Sequence, residues 1–422
     1  MHRWFALYFA FEKHCKIMAI MSFPNHFENR LRFSLSLYKT ISAHIPDSDN
    51  FLVSPLSEEL AAVTAYIGAQ GRTRSEIAEV LGLTADYKIE DISDCLAKII
   101  SDETGEIEFP PENWSKNFEF SACVGVFVDE SVRLNASYTV NAQNLIKAVC
   151  VPVRFAGDPE SAWENVRNFI TSHTKGKVQD VPEPSKITPP NLMFATALNF
   201  QANWAAPFPE IQTGKKWFTL ASGAKVQVDT LHGTFTRLCK YHESATLHGA
   251  KILQVPYMGH FFKAYFILPG QENLSSCEDG LSRLEDLLTP TLLQQEMRKL
   301  DFAHKVTIEM PKFSLQCTMA VENFLWEMGM PSAFTEDADL SGVSTLSPLK
   351  ISTITQTAVF GIDENGSDPC PVAVPTDRLI FMSWIPQNTE NFIAARPFLF
   401  VVCHDETGSI ILMGRICNPL IA

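Results

Sequence analysis

Residues 351–367, ISTITQTAVFGIDENGS, decide the fold. Ile351 to Ile362 reads as a strand rich in β-branched residues, and Asp363-Glu364-Asn365-Gly366-Ser367 then breaks it. From there the chain runs through Pro369, Pro371, Pro375 and Pro386 without a regular pattern until Arg396-Pro397-Phe398 opens the next strand. A loop of about 364–392 therefore joins two strands. Connections longer than about 12–15 residues are functional or unstructured.

Outward from that loop, the C-terminal runs Phe398–Cys403 and Ser409–Ile416 flank Asp405-Glu406-Thr407-Gly408 and predict a hairpin. His404 beside Asp405 is expected in a solvated turn rather than as a catalytic pair, because adjacent hairpin residues point to opposite faces. Upstream, Leu31, Leu35, Tyr38, Ile41 and Ile45 recur at helical spacing. Ser54-Pro55 sets an N-cap and first-turn proline for a helix over 56–70, slimmed by Ala61, Ala62, Ala65 and Ala69 and ended by Gly71. Thr73 and Glu76 predict a capping box for the next helix. Strands are expected at 120–129, 151–155, 249–257, 261–268 and 306–313, with helices over 163–175 and 319–328. Leu192 to Phe200, apolar at nearly every position, predicts a central strand buried on both faces.

The chain has 422 residues, which by length alone suggests two or three domains. No repeat or interdomain linker divides it, so the pattern implies one α+β body. The 48 acidic against 34 basic residues, net −14, with no basic block, argue against binding nucleic acid or anionic membranes. No window reaches the roughly 18 uninterrupted apolar residues of a membrane span. Residues 1–26 form an N-terminal extension that begins like a signal peptide, but Glu12, Lys13, His14 and Lys16 interrupt before any small-residue cleavage site. Export and a cytoplasmic location both stay open. The 10 cysteines include no CxxC pair, so neither a metal site nor a small-domain disulfide framework is indicated. GxSxG, GxxxxGK[ST], HExxH and GxGxxG signatures are absent, which weakens an enzyme reading.

Six ordered blocks carry a resemblance. Asn50-Phe51-Leu52-Val53-Ser54-Pro55-Leu56-Ser57 leads into Gly68-Ala69-Gln70-Gly71-Arg72-Thr73. Leu198-Asn199-Phe200 is followed by Trp204. Pro311-Lys312-Phe313 precedes Leu325 to Met330, Phe334 and Ala338-Asp339-Leu340-Ser341-Gly342. Arg396-Pro397-Phe398-Leu399-Phe400 and Gly414-Arg415-Ile416-Cys417-Asn418-Pro419 close the chain. Over about 33–419 the sequence resembles the serpin family.

The resemblance implies a single α+β domain over 27–422 with three β-sheets, about nine helices and an exposed reactive-centre loop. It implies a monomeric inhibitor of a serine, or alternatively a cysteine, protease, with no catalytic residue, cofactor or metal of its own. The protease attacks the loop; the cleaved loop then inserts as a new strand of the main sheet of a metastable fold and distorts the captured enzyme. It also favours the extracellular space. Family spacing from Glu364 puts the reactive bond at Ile380-Phe381, with Arg378-Leu379 as the alternative. A count back from Pro397 reaches 384–386, so the loop is long.

The resemblance places the hinge of that loop at Glu364, Asn365, Gly366, Ser367, Asp368, Pro369, Cys370 and Pro371. Its first four residues fit the family pattern. The following Asp368-Pro369-Cys370-Pro371-Val372-Ala373-Val374-Pro375 departs from the expected small-residue run. Proline in a central strand removes a ladder donor, and 369, 371 and 375 share parity, so all three gaps face one neighbouring strand. The sheet-opening region is expected around Ser54, Ser57, Thr196, Trp204 and Gln356. Gln356 stands where the family usually has a histidine, and Thr196 where asparagine is common. A non-inhibitory, substrate-like member with a binding, carrier or chaperone role is the second expectation.

Overall fold

The computed structural model describes residues 24–83, 90, 93, 94, 96, 97, 99, 118–155, 157–178, 181, 192–259, 261–271, 280–345, 348–367 and 389–421. Residues 1–23 of the expected extension lie outside them.

The described residues begin with three helices, α1 (Pro24–Ser42), α2 (Pro55–Gly68) and α3 (Gly71–Leu81), and a short strand β1 (Phe51–Val53) between the first two. Ser54 caps α2 through the N–H of Ser57, with Pro55 in the first turn, where its missing donor costs nothing. Gly71 starts α3 instead of closing α2, and it does so at φ +50. The expected capping box is not formed, because α3 starts two residues before Thr73, with Gln70 as its N-cap, and a tertiary partner takes both side chains. Ser332 Oγ lies 3.1 Å from Thr73 Oγ1, and the Ser332 N–H donates to Glu76 at 2.9 Å.

There follow β2 (Phe118–Asp129), α4 (Ala136–Asn141), β3 (Val149–Val153), α5 (Pro159–His173) and β4 (Leu192–Asn203). β5 (Gly214–Thr219), β6 (Lys225–Phe235), β7 (Lys240–Ser244), β8 (Ala250–Pro256) and β9 (Phe262–Leu268) come next. After α6 (Leu281–Leu287) and α7 (Pro290–Lys299) lie β10 (Asp301–Phe302), β11 (Lys305–Pro311), β12 (Phe313–Ala320) and α8 (Glu322–Met328). The helix expected from 319 starts at Glu322, since Met319 and Ala320 still pair with β13 (Ile351–Ile362). β14 (Gly366–Ser367), β15 (Thr389–Ile393), β16 (Phe398–His404) and β17 (Ile410–Ile416) complete the chain.

These strands make three sheets. One runs β1-β17-β16-β9-β8-β7-β10, a second β15-β11-β6-β5, and the main sheet β12-β13-β4-β2-β3 with β14 added beside β4. Eight α-helices pack around them among the described residues. β4 is central as its composition predicts. Leu192, Phe194, Leu198 and Phe200 enter the large core, while Met193, Ala195 and Ala197 meet Trp163, Val166 and Ile170 of α5 on the other face. Each large side chain so buried contributes about 1.5–3 kcal/mol. His404 corrects the expectation of a solvated turn. It is fully buried, edge-on to Phe262, and its Nδ1 lies 2.9 Å from Thr407 Oγ1.

Candidate functional site: the hinge and the seam of the main sheet

β13 and β4 run parallel, paired from Ile351 opposite Leu192 to Ala358 opposite Leu198. Beyond that point β13 continues to Ile362 on the ladder with β12. The chain then turns. The Asp363 carboxylate accepts the N–H groups of Asn365 at 2.7 Å and Gly366 at 3.1 Å, and the Asp363 N–H donates to the Gly366 carbonyl at 2.9 Å. It returns as β14, antiparallel to β4, with Gly366 opposite Asn203 and Ser367 opposite Ala202. The first residues of the loop thus lie against the β4 edge that β13 has left.

Side chains from three elements fix this seat. Trp204, fully buried, donates its indole N–H to the Asp363 carbonyl at 3.0 Å, and its backbone N–H donates to the Asn365 carbonyl at 2.8 Å. Its ring stacks on Tyr257 at 4.5 Å, and the Tyr257 hydroxyl meets Ser367 Oγ. Ser367 is itself fully buried. Lys312, at the corner between β11 and β12, reaches the Glu364 carboxylate at 2.7 Å, while the Glu364 carbonyl accepts the Phe208 N–H at 2.8 Å. Burial alone would raise the Glu364 carboxyl, but hydrogen bonds, led by that of Lys312 and joined by its own backbone N–H, together with the Lys312 charge outweigh it and hold it below its ordinary value.

Gly366 is required by close approach. A Cβ there would come 2.0 Å from the Ala202 carbonyl oxygen and 2.8 Å from Asn203 Cα, both backbone. Gly366→Ala is therefore expected to expel β14 from the sheet. The check is hydrogen exchange at Ala202 and Trp204, which should quicken at least about tenfold, the equivalent of one lost hydrogen bond; unchanged rates would show that the seat tolerates the methyl group.

Lower in the seam, Gln356 of β13 stands opposite Thr196 of β4, yet their side chains take different partners. Gln356 Oε1 accepts the Ser54 N–H at 2.7 Å and its Nε2 donates to the Leu52 carbonyl at 3.3 Å. Ser54 Oγ lies 2.9 Å from Ser57 Oγ and 2.8 Å from the Ile411 carbonyl. Thr196 instead donates to Glu58 of α2 at 2.9 Å. The structure brings Ser54, Ser57 and Gln356 together, sets Thr196 beside them with another partner, and puts Trp204 at the far end with Glu364, Asn365, Gly366 and Ser367. Asp368, Pro369, Cys370 and Pro371 of the expected hinge, and Arg378, Leu379, Ile380 and Phe381 of the expected reactive bond, lie outside the described residues.

Sequence reading missed Tyr257, Lys312 and Glu58 as members of this site. Glu58 had a signal: it shares the helical stripe of Ala61, Ala62 and Ala65, where a carboxylate is out of place.

No group of three or more His, Cys, Asp or Glu that could hold a metal ion occurs among the described residues. What the arrangement offers is a strand edge already occupied at one end. A family model described as Serpin (serine protease inhibitor) matches residues 28–419. The chain belongs to the serpin family. It is 27% identical over 400 residues to Ipis-1 of Ixodes persulcatus, covering 94% of this chain and 98% of that protein. It is 25% identical over 402 residues to the alpha-1-antitrypsin-like protein GS55-MS of Ictidomys tridecemlineatus, covering 93% and 88%. Human thyroxine-binding globulin, solved with thyroxine, superposes with a TM-score of 0.77 at 23% identity, covering 93% of this chain and 98% of that one.

Proposed function

We propose that the protein inhibits serine-type endopeptidases as a suicide substrate, its bait loop being cleaved and then entering the main sheet between β13 and β4. The observation that carries this reading is the seating of Gly366 and Ser367 antiparallel to β4, in the direction a new strand would take. Entry of further residues would add ladder hydrogen bonds and bury apolar area, the source of the work that disables the protease. The partner is a target protease, met at the bond Ile380-Phe381 or Arg378-Leu379. Mixing the protein with trypsin-, chymotrypsin- and elastase-type enzymes is expected to give an SDS-resistant conjugate with at least one of them. Cleavage by all three with no conjugate and no rise in melting temperature would overturn the reading.

A second reading, a substrate-like serpin with a binding, carrier or chaperone role, is favoured by the register of Ser367. The Trp204 N–H donates to the Asn365 carbonyl, so Asn365 and Trp204 form a hydrogen-bonded pair, and by alternation so do Ser367 and Ala202. Extending that register puts 369, 371 and 375 opposite Phe200, Leu198 and Phe194, each with its N–H position aimed at β4. Prolines there would leave three carbonyls of β4 without donors.

A further inference from the structure

Glu58 is a carboxyl group with almost nothing to hold a charge. It lies in the first turn of α2 and is fully buried. Oε1 accepts from Thr196 Oγ1, and Oε2 has no hydrogen-bond partner. The cations described on the elements packed against α2 are engaged elsewhere: on α1, Arg30 with Glu59, Arg32 with the Glu79 carbonyl and Lys39 with the Asp286 carbonyl; on α3, Arg72 with Glu76 and Arg74 with the carbonyls of Tyr66 and Ala69; on β17, Arg415 with Glu285. On β2, Glu119 pairs with Lys175 and Asp129 bonds Ser131. Tyr138 of α4 is buried and neutral, its hydroxyl pushed further up by burial. The charged group that does act on Glu58 is another carboxylate, Glu322 of α8, which is bound to Thr353 Oγ1 and the Ile354 N–H of β13. Burial, with a smaller push from Glu322 and against the Thr196 bond, raises the Glu58 carboxyl to about 8.

The position of the bond gives this group its consequence. Thr196 lies where β4 is still paired with β13, opposite Gln356, in the segment that must part if a strand is to enter. We propose that Glu58 is a proton-dependent latch: as a neutral acid it ties α2 to β4 beneath the β4–β13 seam, and loss of its proton loosens that seam. An ionised Glu58 must reach water, and separation of α2 from β4 opens the way. The inference is independent of whether the protein inhibits a protease.

The direction with pH follows from linkage. The group is harder to ionise in the closed seam than in an opened one, where its value returns toward 4.5. The closed seam is then favoured most below about 4.5, loses its advantage as pH rises toward about 8, and changes no further above that. Hydrogen exchange of the full chain between pH 5 and 9, corrected for intrinsic rates, is expected to show opening of 192–198 and 351–358 rising about tenfold per pH unit up to pH 7.5 and levelling above 8. In Glu58→Gln, which keeps the acceptor and shape without the charge, that dependence should vanish. Equal pH dependence in both proteins, or a rise shared by strands far from the seam, would overturn the proposal. Infrared difference spectra of the unmutated protein give an answer that does not require the variant to fold: a buried carboxylic C=O band lost with its midpoint near pH 8 supports the latch, and the absence of a midpoint between pH 6 and 9 rejects it.

Discussion

Replacing Pro369, Pro371 and Pro375 together with alanine is expected to increase both the yield of SDS-resistant protease conjugate and the rise in melting temperature after loop cleavage. In the register set by Ser367 opposite Ala202, the three alanines would supply N–H donors to the carbonyls of Phe200, Leu198 and Phe194. At about 1 kcal/mol per net hydrogen bond the gain is about 3 kcal/mol, or about 100-fold in the equilibrium between inserted and expelled strand. Inhibition by this route is a race between strand entry and hydrolysis of the acyl bond, so even part of that gain expressed in the entry rate would shift the outcome. Replacing Pro386 alone, which lies beyond the hinge, is the matched control. If the triple variant gives the same conjugate yield and the same melting rise as the parent, the ladder argument fails and the prolines are neutral.

Arg415→Met is expected to destabilise the fold by about 3–5 kcal/mol, the range for stranding one partner of a buried ion pair. Arg415 is fully buried. Its guanidinium meets both Glu285 carboxylate oxygens at 3.2 and 3.1 Å, Ser42 Oγ at 2.9 Å, and the carbonyls of Asp49, Ile45 and Pro46 at 3.1, 3.1 and 2.7 Å. Methionine fills much of the volume but leaves Glu285 with the Tyr38 and Ser42 hydroxyls, and removes the Arg415 donors from three carbonyls. The added change Glu285→Leu should recover part of the loss by removing the stranded charge. Denaturant midpoints of the parent, the single and the double variant test this; a single variant within about 1 kcal/mol of the parent would mean that water enters and solvates the site.

The two variants mark the difference between what could be read along the chain and what could not. Residue order was enough for the strand Ile351–Ile362, the buried strand from Leu192, the cap at Ser54 and the C-terminal hairpin, because each rests on periodicity or a local hydrogen bond. Parity alone put Pro369, Pro371 and Pro375 on one side of any strand they could form. It could not say which neighbour that side faces; the pairing of Ser367 with Ala202 points to β4. The Thr73–Glu76 box was misread for a related reason: a local motif competes with tertiary partners, and Ser332, 256 residues on from Glu76, won. Arg415 is legible as part of a motif, but its partner Glu285 lies 130 residues away and shares no pattern with it.

Sequence by itself determined the family and the α+β architecture, since these depend on patterns that survive in one dimension. Tertiary structure decided that Gly366 and Ser367 sit in the main sheet, that Tyr257 meets Ser367 there while Lys312 holds Glu364, and that Thr196 turns from Gln356 to Glu58. Such facts depend on which distant groups share a space closed to water, where one hydrogen bond or one unpaired charge outweighs any local preference.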